Sequence, residues 1–352
     1  MTGPVDGRAE GAAPPGAAGD LTMEDVAAAA GVSRTSVSRV MLGQKKVSEE
    51  TRRKVFAAAE RLGYVPNASA RTLKQRTSRV VGVVVSDLGN QFYARLAAGI
   101  EQALREAGYQ MMLLGDNSEA DEELAAARTF VAMRAPGVIM TPVSADATRL
   151  LAALGVAVVE VDRQLADVPC DSVVIDNEGG ARTATAHLLD HGHRRIGLLV
   201  VATDWTSDAG RLRGYRTAHA EAGVPVDEQL IVRIPFHDPQ AEERIGVLLD
   251  ETAPTALFAA NNLLAEQAWN VLRRRKLRLP EEISLVGFDD VPWMAMVEPG
   301  ITVVSQPTVE MGVRAAELLL RRVEQPLAPP QVARLEPQLV VRGSSGPAPV
   351  RL

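Results

Sequence analysis

The sequence predicts an all-α head followed by an α/β body made of two doubly wound parallel-sheet subdomains. Three observations carry this. Between residues 21 and 63, three short runs of helical periodicity each open on a capping residue and close on glycine. From residue 80 onward, apolar strands alternate with longer helices, the pattern of parallel sheet covered on both faces. The charge divides at the same place: residues 1–20 carry −2, residues 21–79 carry +7 and residues 80–352 carry −11, within a net −6 over 352 residues. The acidic total alone argues against nucleic acid as a partner. The compact basic unit reverses that, because such asymmetry is the footprint of a nucleic-acid-binding unit joined to something else. A composition of 46% hydrophobic and 23% charged residues supplies a sizeable core and excludes wholesale disorder. No apolar run reaches the length of a membrane span. A single cysteine, Cys170, excludes an internal disulfide framework and fits a reducing cytoplasm.

In chain order, residues 1–20 are nearly all Gly, Ala and Pro with a few charges, and are expected to be a disordered tail and not a secretory signal. Thr22 with Asp25 forms a capping-box pattern before a helix over Met23–Ala30, with Gly31 as its stop. Ser33 caps a second helix, Arg34–Leu42, which buries Val37, Val40 and Met41 and leaves Arg34, Thr35, Ser38 and Arg39 on the other face; Gly43 ends it. A third helix runs from Ser48 to Leu62, with Val55, Ala59 and Leu62 inward and Gly63 as its stop. Two short helices joined by a tight turn, then a third, is the helix-turn-helix plan. Its second helix enters the major groove by its N-terminal residues. A generic three-helix protein-binding unit stays open on these residues alone. Ala68–Lys74 has the length of two helical turns, marginal without a partner. Leu73, apolar among basic residues, suits a minor-groove wedge; a plain linker is the other reading. The expected divisions are a head at 21–66, a hinge helix and linker at 67–79, a body at 80–342 and a flexible tail at 343–352.

The body shows eight core strands in two groups. The first holds Val80–Val85, Tyr109–Leu114, Gly137–Met140 and Val156–Val161. The second holds Ile196–Val201, Leu230–Ile234, Ala256–Ala259 and Ile283–Val286. Ligands of such sheets sit beyond the carboxyl ends of the strands, so polar and aromatic residues just after strand ends are the candidates. These are Asp87, Asn90, Phe92, Asp162, Arg163, Trp205, Arg211, Phe236, Asn261, Asp289 and Trp293. Aromatic residues make up only 4% of the chain, so several at these positions point to a cage for a polyhydroxylated small molecule. His187, His191 and His193 cluster, but a metal site would need further ligands. No phosphate loop, zinc motif or nucleophile elbow is present, and the Asp289–Asp290 pair has no accompanying nucleophile. Neither enzyme activity, cofactor nor metal is expected.

The run TMEDVAAAAGVSRTSVSRVMLGQKKVSEETRRKVFAAAERLGYVPNASARTLK resembles the DNA-binding head of the lactose-repressor (LacI/GalR) family. The resemblance continues through VVGVVVSDLGNQFYARLAAGIEQALREAGY, RLRGYRTA, PTALFAANN, ISLVGFDD and ITVVSQP, and covers about residues 21–342. It implies a ligand-responsive transcription regulator, chiefly a repressor, that binds a near-palindromic DNA operator as a homodimer. It implies a hinge helix and a body of the periplasmic-binding-protein type, crossed three times by the chain: an N-subdomain of about 80–177 and 307–333, and a C-subdomain of about 178–303 and 334–342. The candidate DNA contacts are then Thr22, Ser33, Arg34, Thr35, Ser38 and Arg39 in the head, with Asn67, Ser69, Ala70, Leu73 and Lys74 in the hinge. Family ligand-contacting positions fall on Arg211, Phe236, Asn261 and Asp289. The implied effector is a small molecule, a sugar or its derivative. A purine-like or phosphoprotein corepressor is the alternative within the class, and a sugar-binding protein without regulatory role the alternative outside it. Many members have Asp where this chain has Asn262, which alters either ligand choice or a structural cap. Tetrameric members carry a C-terminal leucine heptad helix that GSSGPAPVRL cannot form, so a dimer is expected.

Overall fold

A computed structural model describes residues 21–41, 47–64, 78–165 and 168–350, and divides the chain into two compact units, before and after Ser78. The expected Gly43 stop, the basic residues Lys45 and Lys46, and the hinge positions Asn67, Ser69, Ala70, Leu73 and Lys74 lie outside the described residues.

The head contains α1 (Met23–Ala30), α2 (Arg34–Met41) and α3 (Glu49–Leu62). Each start is set by a side chain. Thr22 accepts from the Asp25 amide and donates its own amide to Asp25 Oδ2 at 2.8 Å, so two orphan donors are satisfied reciprocally. Ser33 Oγ accepts from Ser36 N at 3.1 Å, and Ser48 Oγ accepts from Thr51 N at 3.3 Å. Gly31 and Gly63 end α1 and α3 in the left-handed conformation that glycine adopts without penalty. Val26, Ala27, Val37, Val40, Val55, Ala58 and Ala59 form the core, while Met41 and Leu62 sit half-buried at its edge.

Among the described residues the body contains twelve strands, four more than the eight expected, in two six-stranded sheets. The N-terminal lobe orders β1 (Val80–Val85), β2 (Gln110–Gly115), β3 (Gly137–Met140), β4 (Ala157–Val161), β5 (Asp171–Ile175) and β11 (Val332–Leu335) as β11-β5-β4-β3-β1-β2, all parallel. The C-terminal lobe orders β6 (Ile196–Val201), β7 (Ile231–Ile234), β8 (Ala256–Ala259), β9 (Ser284–Phe288), β10 (Thr302–Ser305) and β12 (Gln338–Val340) as β12-β10-β9-β8-β6-β7, with only β12 antiparallel. The chain therefore passes between lobes three times: after β5, after β10 and after β11. The last passage falls beyond Leu335, two residues later than expected.

Helices cover both faces. The first lobe carries α4 (Gln91–Glu106), α5 (Ala120–Ala132), α6 (Ala145–Ala153) and α12 (Thr308–Glu324). The second carries α7 (Asn177–Asp190), α8 (Thr206–Glu221), α9 (Ala241–Thr252), α10 (Asn262–Arg274) and α11 (Pro292–Met296). The pair α4 and α12 meets backbone to backbone: a Cβ on Gly99 or Gly312 would run into the carbonyl oxygen of Val309 or Leu96. Only glycine permits that approach.

Residues 343–348 are not the flexible tail expected from their Gly, Ser and Pro content. Ser344 is fully buried and donates its hydroxyl to Leu285 O at 2.6 Å, while Thr302 N donates to Ser344 Oγ at 2.8 Å. The histidine cluster completes the clamp: His187 Nε2 pairs with Ser345 Oγ at 2.9 Å, His193 Nε2 with Gly346 O at 3.0 Å, and His191 O accepts from Ala348 N. Among the described residues no group of His, Cys, Asp and Glu could hold a metal ion, and no helix is long and apolar enough to cross a membrane.

Candidate DNA-reading face and ligand cleft

In the head, the packing of Val37 and Val40 turns the opposite face of α2 outward. Arg34, Thr35 and Arg39 are exposed and Ser38 is half-buried. Arg34 Nε pairs with Glu24 Oε1 at 2.9 Å, with both side chains more than half exposed. Such a pair contributes little in water and is easily exchanged for another acceptor. Thr22 and Ser33 act as caps, each accepting from a backbone amide of the first turn that follows, so they hold the starts of α1 and α2 in place. On α3, Arg52, Arg53 and Lys54 add cationic charge, two of them paired along the helix to Glu49 and Glu50. Forked and hydroxyl donors on one exposed helix face are the equipment for reading base edges; the flanking cations suit phosphates.

In the body, residues following β1 and β4 of one lobe and β6 to β9 of the other line a single cavity of about 40 Å³. Nine of the eleven expected residues are there: Asn90, Phe92, Asp162, Arg163, Trp205, Arg211, Phe236, Asn261 and Asp289. Two are not. Trp293 sits in α11, which turns its ring back onto the apolar core of the C-terminal lobe. Asp87 folds down to accept from Gly89 N at 2.7 Å and places its other oxygen 3.8 Å from His237 Nε2. The cavity is also lined by Tyr93, Ser207 and Asn262, which follow strand ends in the sequence, and by Val201, Asp208 and Leu263. Of these Asp208 matters most, being a buried carboxylate one turn before Arg211 on α8. That i, i+3 spacing after a strand end was the signal for it.

The two lobes present matching aspartates. Asp162 follows β4 and Asp289 follows β9, both with positive φ (68° and 71°). Each amide donates to the adjacent strand, Asp162 to Val173 O and Asp289 to Val304 O. Non-glycine residues adopt that conformation only when the surroundings impose it, and here it lies at a site. Burial pushes the Asp162 carboxyl up to about 6, against the lowering pull of Arg163 and Arg211 and with Asp289 and Asp208 raising it further. Burial raises Asp208 in the same way.

Both arginines are buried and spent on the protein. Arg163 donates to Ser86 Oγ (2.8 Å), Tyr93 Oη (3.2 Å) and Pro142 O (3.3 Å), and its guanidinium lies 3.5 Å over the Trp205 ring. Arg211 donates to Asn177 Oδ1 (2.8 Å) and Ala260 O (2.6 Å) and lies 3.8 Å over Phe288. The cavity thus holds three carboxylates against two cations, with the edges of Trp205 and Phe236 meeting at 5.9 Å.

Contacts across the cleft hold it shut. Asn90 and Asn262 exchange amide hydrogen bonds (Asn262 Nδ2 to Asn90 Oδ1, 2.8 Å; Asn90 Nδ2 to Asn262 Oδ1, 3.3 Å). Arg95 donates to Asp290 O at 3.0 Å, and Gln164 N donates to Thr206 Oγ1 at 3.1 Å. Asn262 thus supplies half of a reciprocal pair.

An outward-facing helix-turn-helix and a two-lobed body closed on a polar cavity define a class: DNA-binding proteins that carry a small-molecule site. Comparison with known proteins agrees. The family described as "Bacterial regulatory proteins, lacI family" matches residues 22–67, and that described as "Periplasmic binding protein-like domain" matches residues 185–345. The HTH-type transcriptional regulator DegA of Bacillus subtilis (strain 168) is 35% identical over 333 residues, 93% of this chain and 98% of that protein. Two solved structures align over nearly the full length. The transcriptional regulator CelR–cellobiose complex does so with TM-score 0.71 and 35% identity, over 92% of this chain and 99% of that one. The lac repressor dimer bound to operator and the anti-inducer ONPF does so with TM-score 0.81 and 26% identity, over 93% and 99%. The chain belongs to the lacI family of bacterial transcriptional regulators. Its relatives regulate transcription and are not enzymes.

Proposed function

We propose that the chain is a cytoplasmic repressor that grips a near-palindromic operator as a homodimer, and that a neutral carbohydrate in the interlobe cavity is its effector. The observation that carries the effector reading is the charge balance of the cavity. Asp162, Asp208 and Asp289 outnumber Arg163 and Arg211, and each arginine already donates to at least two protein acceptors. A phosphate or carboxylate ligand would face uncompensated like charge at low dielectric. Hydroxyl groups instead donate to carboxylates, and Phe92, Trp205 and Phe236 offer rings to an apolar sugar face. The CelR structure with bound cellobiose and the lac repressor dimer on its operator support ligand class and assembly by likeness.

In this reading Arg34, Thr35, Ser38 and Arg39 read bases, Lys45, Lys46, Arg52, Arg53 and Lys54 hold phosphates, and Asn67, Ser69, Ala70, Leu73 and Lys74 enter the minor groove. The ligand biases a two-state body, so ligand and operator alter each other's affinity by the same factor. The test has two arms. A thermal-shift screen against neutral sugars should give at least one stabilising hit that also changes the mobility shift of a palindromic fragment from the gene's own upstream region. No hit among sugars removes the effector reading. In the second arm, Leu73→Ala should weaken the operator complex and reduce its DNA bending; unchanged affinity and bending remove the wedge role.

A further inference from the structure

Closing the cleft brings like charges together. Asp162 stands on the N-terminal lobe, Asp208 and Asp289 on the C-terminal lobe, and all three are buried in the wall of one cavity. Two guanidiniums face them, Arg163 beside Asp162 and Arg211 one turn after Asp208. Neither cation is given over to these acids. Arg163 Nε stays 3.8 Å from Asp162 Oδ2 while its hydrogen bonds go to Ser86, Tyr93 and Pro142, and Asp116 and Glu123 draw on the same charge from behind. Asp208 accepts from the neutral Thr203 hydroxyl at 3.0 Å. The phenol of Tyr93 on α4, pushed up to about 12 by burial, adds no charge. Repulsion and desolvation of these carboxylates last only while the lobes are together; opening separates and rehydrates them.

A second pair, at the rim, has the same sign. His237 Nε2 of the C-terminal lobe lies 3.8 Å from Asp87 Oδ2 of the N-terminal lobe, and the two attract only when the imidazole is protonated. The other charged groups beside that imidazole are Glu266 of α10 and Asp238, the latter held by Arg244 at 2.7 Å. Both belong to the lobe that carries His237, so opening leaves them in place and removes Asp87 alone.

We propose that the two lobes form a proton-sensitive switch: closing them takes up protons, so acid tightens the body and alkali loosens it, with or without an effector. The proposal rests on the two-state body described above and is independent of what the effector is. Burial, with Asp289 and Asp208 of the opposite lobe adding to it against Arg163 and Arg211, holds the Asp162 carboxyl at about 6, above its usual 3.8. The closed form therefore keeps a proton that the open form has released. The resulting gain in closure is absent well above pH 7 and grows as pH falls through 6. Protonation of His237 acts in the same direction, through its pair with Asp87.

The test is hydrogen exchange on the full chain without effector. The Gln164 amide donates to Thr206 Oγ1 across the lobes at 3.1 Å and loses that bond on opening. Its protection, corrected for the intrinsic exchange rate at each pH, reads the ratio of closed to open body even when the open form is rare. That protection should rise by up to about tenfold from pH 7 to pH 5. Amides bonded within one lobe, such as Thr141 N to Val84 O, serve as the control for overall stability. The double variant Asp162→Asn/His237→Gln takes up neither proton and should show equal Gln164 protection at both pH values, with the far-UV circular dichroism of the native chain. If that spectrum differs, Asp208→Asn/His237→Gln takes its place and should shrink the response. Native protection that is unchanged between pH 7 and pH 5 overturns the switch and leaves the carbohydrate reading intact; so does a folded double variant that responds as strongly as the native chain. Operator affinity should vary more with pH in the native chain than in the double variant, and equal variation overturns the link from proton to DNA.

Discussion

Asn262 stands where the family resemblance leads one to expect Asp, and the sequence left two meanings open. The structure shows a third: its side chain joins Asn90 across the cleft in a pair where each amide both donates and accepts. Asn262→Asp keeps the bond from Asn90 Nδ2 but sets a carboxylate oxygen against Asn90 Oδ1, and brings a second carboxylate toward Asp289, which already accepts from the residue 262 amide. Leaving a buried acceptor unpaired costs about 1–3 kcal/mol, so the closed cleft should lose population. Small-angle X-ray scattering of the ligand-free variant should give a larger radius of gyration; an unchanged radius would sink the latch. Residue-level legibility was uneven for a physical reason. Nine of the residues expected from their place after strand ends line the cavity, because side chains there converge between the lobes. Trp293 does not, since the five-residue helix α11 turns its ring onto the core of the lobe, and nothing in the local composition encodes that turn.

At the scale of elements, the best-read segments were those with their own punctuation. Helix α1 was expected over Met23–Ala30 and is found there, because Thr22, Asp25 and Gly31 fix both ends locally. Strands β5, β10, β11 and β12 escaped notice: each is three to five residues long, and β11 and β12 lie at sheet edges with polar residues alternating. Their membership is decided by partners far away in the chain. Helix α2 gives a prediction of its own. Among the described residues Arg34 is held by an exposed ion pair to Glu24, a weak bond that a base or phosphate could replace. Arg34→Ala should weaken operator binding by about 1–3 kcal/mol. If it reads a base, discrimination against a substituted operator falls and the salt dependence stays; if it holds a phosphate, the slope of log affinity against log salt drops by about one. Fluorescence anisotropy at several salt concentrations separates the two. No change in either quantity would remove Arg34 from the interface.

The whole body has a pH dependence set by opposing groups. Burial lifts Asp116 and Glu160 to about 7 and Asp162 to about 6. These are raised values, so the folded state keeps protons that the unfolded chain has released. Stability is therefore lowest in alkali and climbs as pH falls through 7 toward 6. His187, His193 and His219 are lowered by burial and act the other way. Below their ordinary 6.5 the unfolded chain gains protons that the folded one refuses, and stability declines. The thermal midpoint should thus peak on the acidic side of neutrality. Asp116 makes this testable, since its Oδ2 is buried without a partner. Asp116→Asn should raise the midpoint at pH 8, by about 2–4 °C per kcal/mol removed, and the gain should shrink toward pH 6. Calorimetry at both pH values checks it; an equal gain at both would assign the effect to packing.

The three passages between the lobes also govern the order in which the protein is made. The first sheet takes its edge strand from residues 332–335, and the second is closed by residues 338–340 and clamped by Ser344 and Gly346. The first lobe is incomplete until residue 335 has left the ribosome, and the second until residues near 348 have. The head closes its core using nothing past Tyr64. During synthesis, then, a finished reading head spends most of its early life attached to an unfinished body. A chain cut short before residue 332 keeps that head and leaves both sheets without an edge strand, so the fragment carries a head and an incomplete two-lobed body.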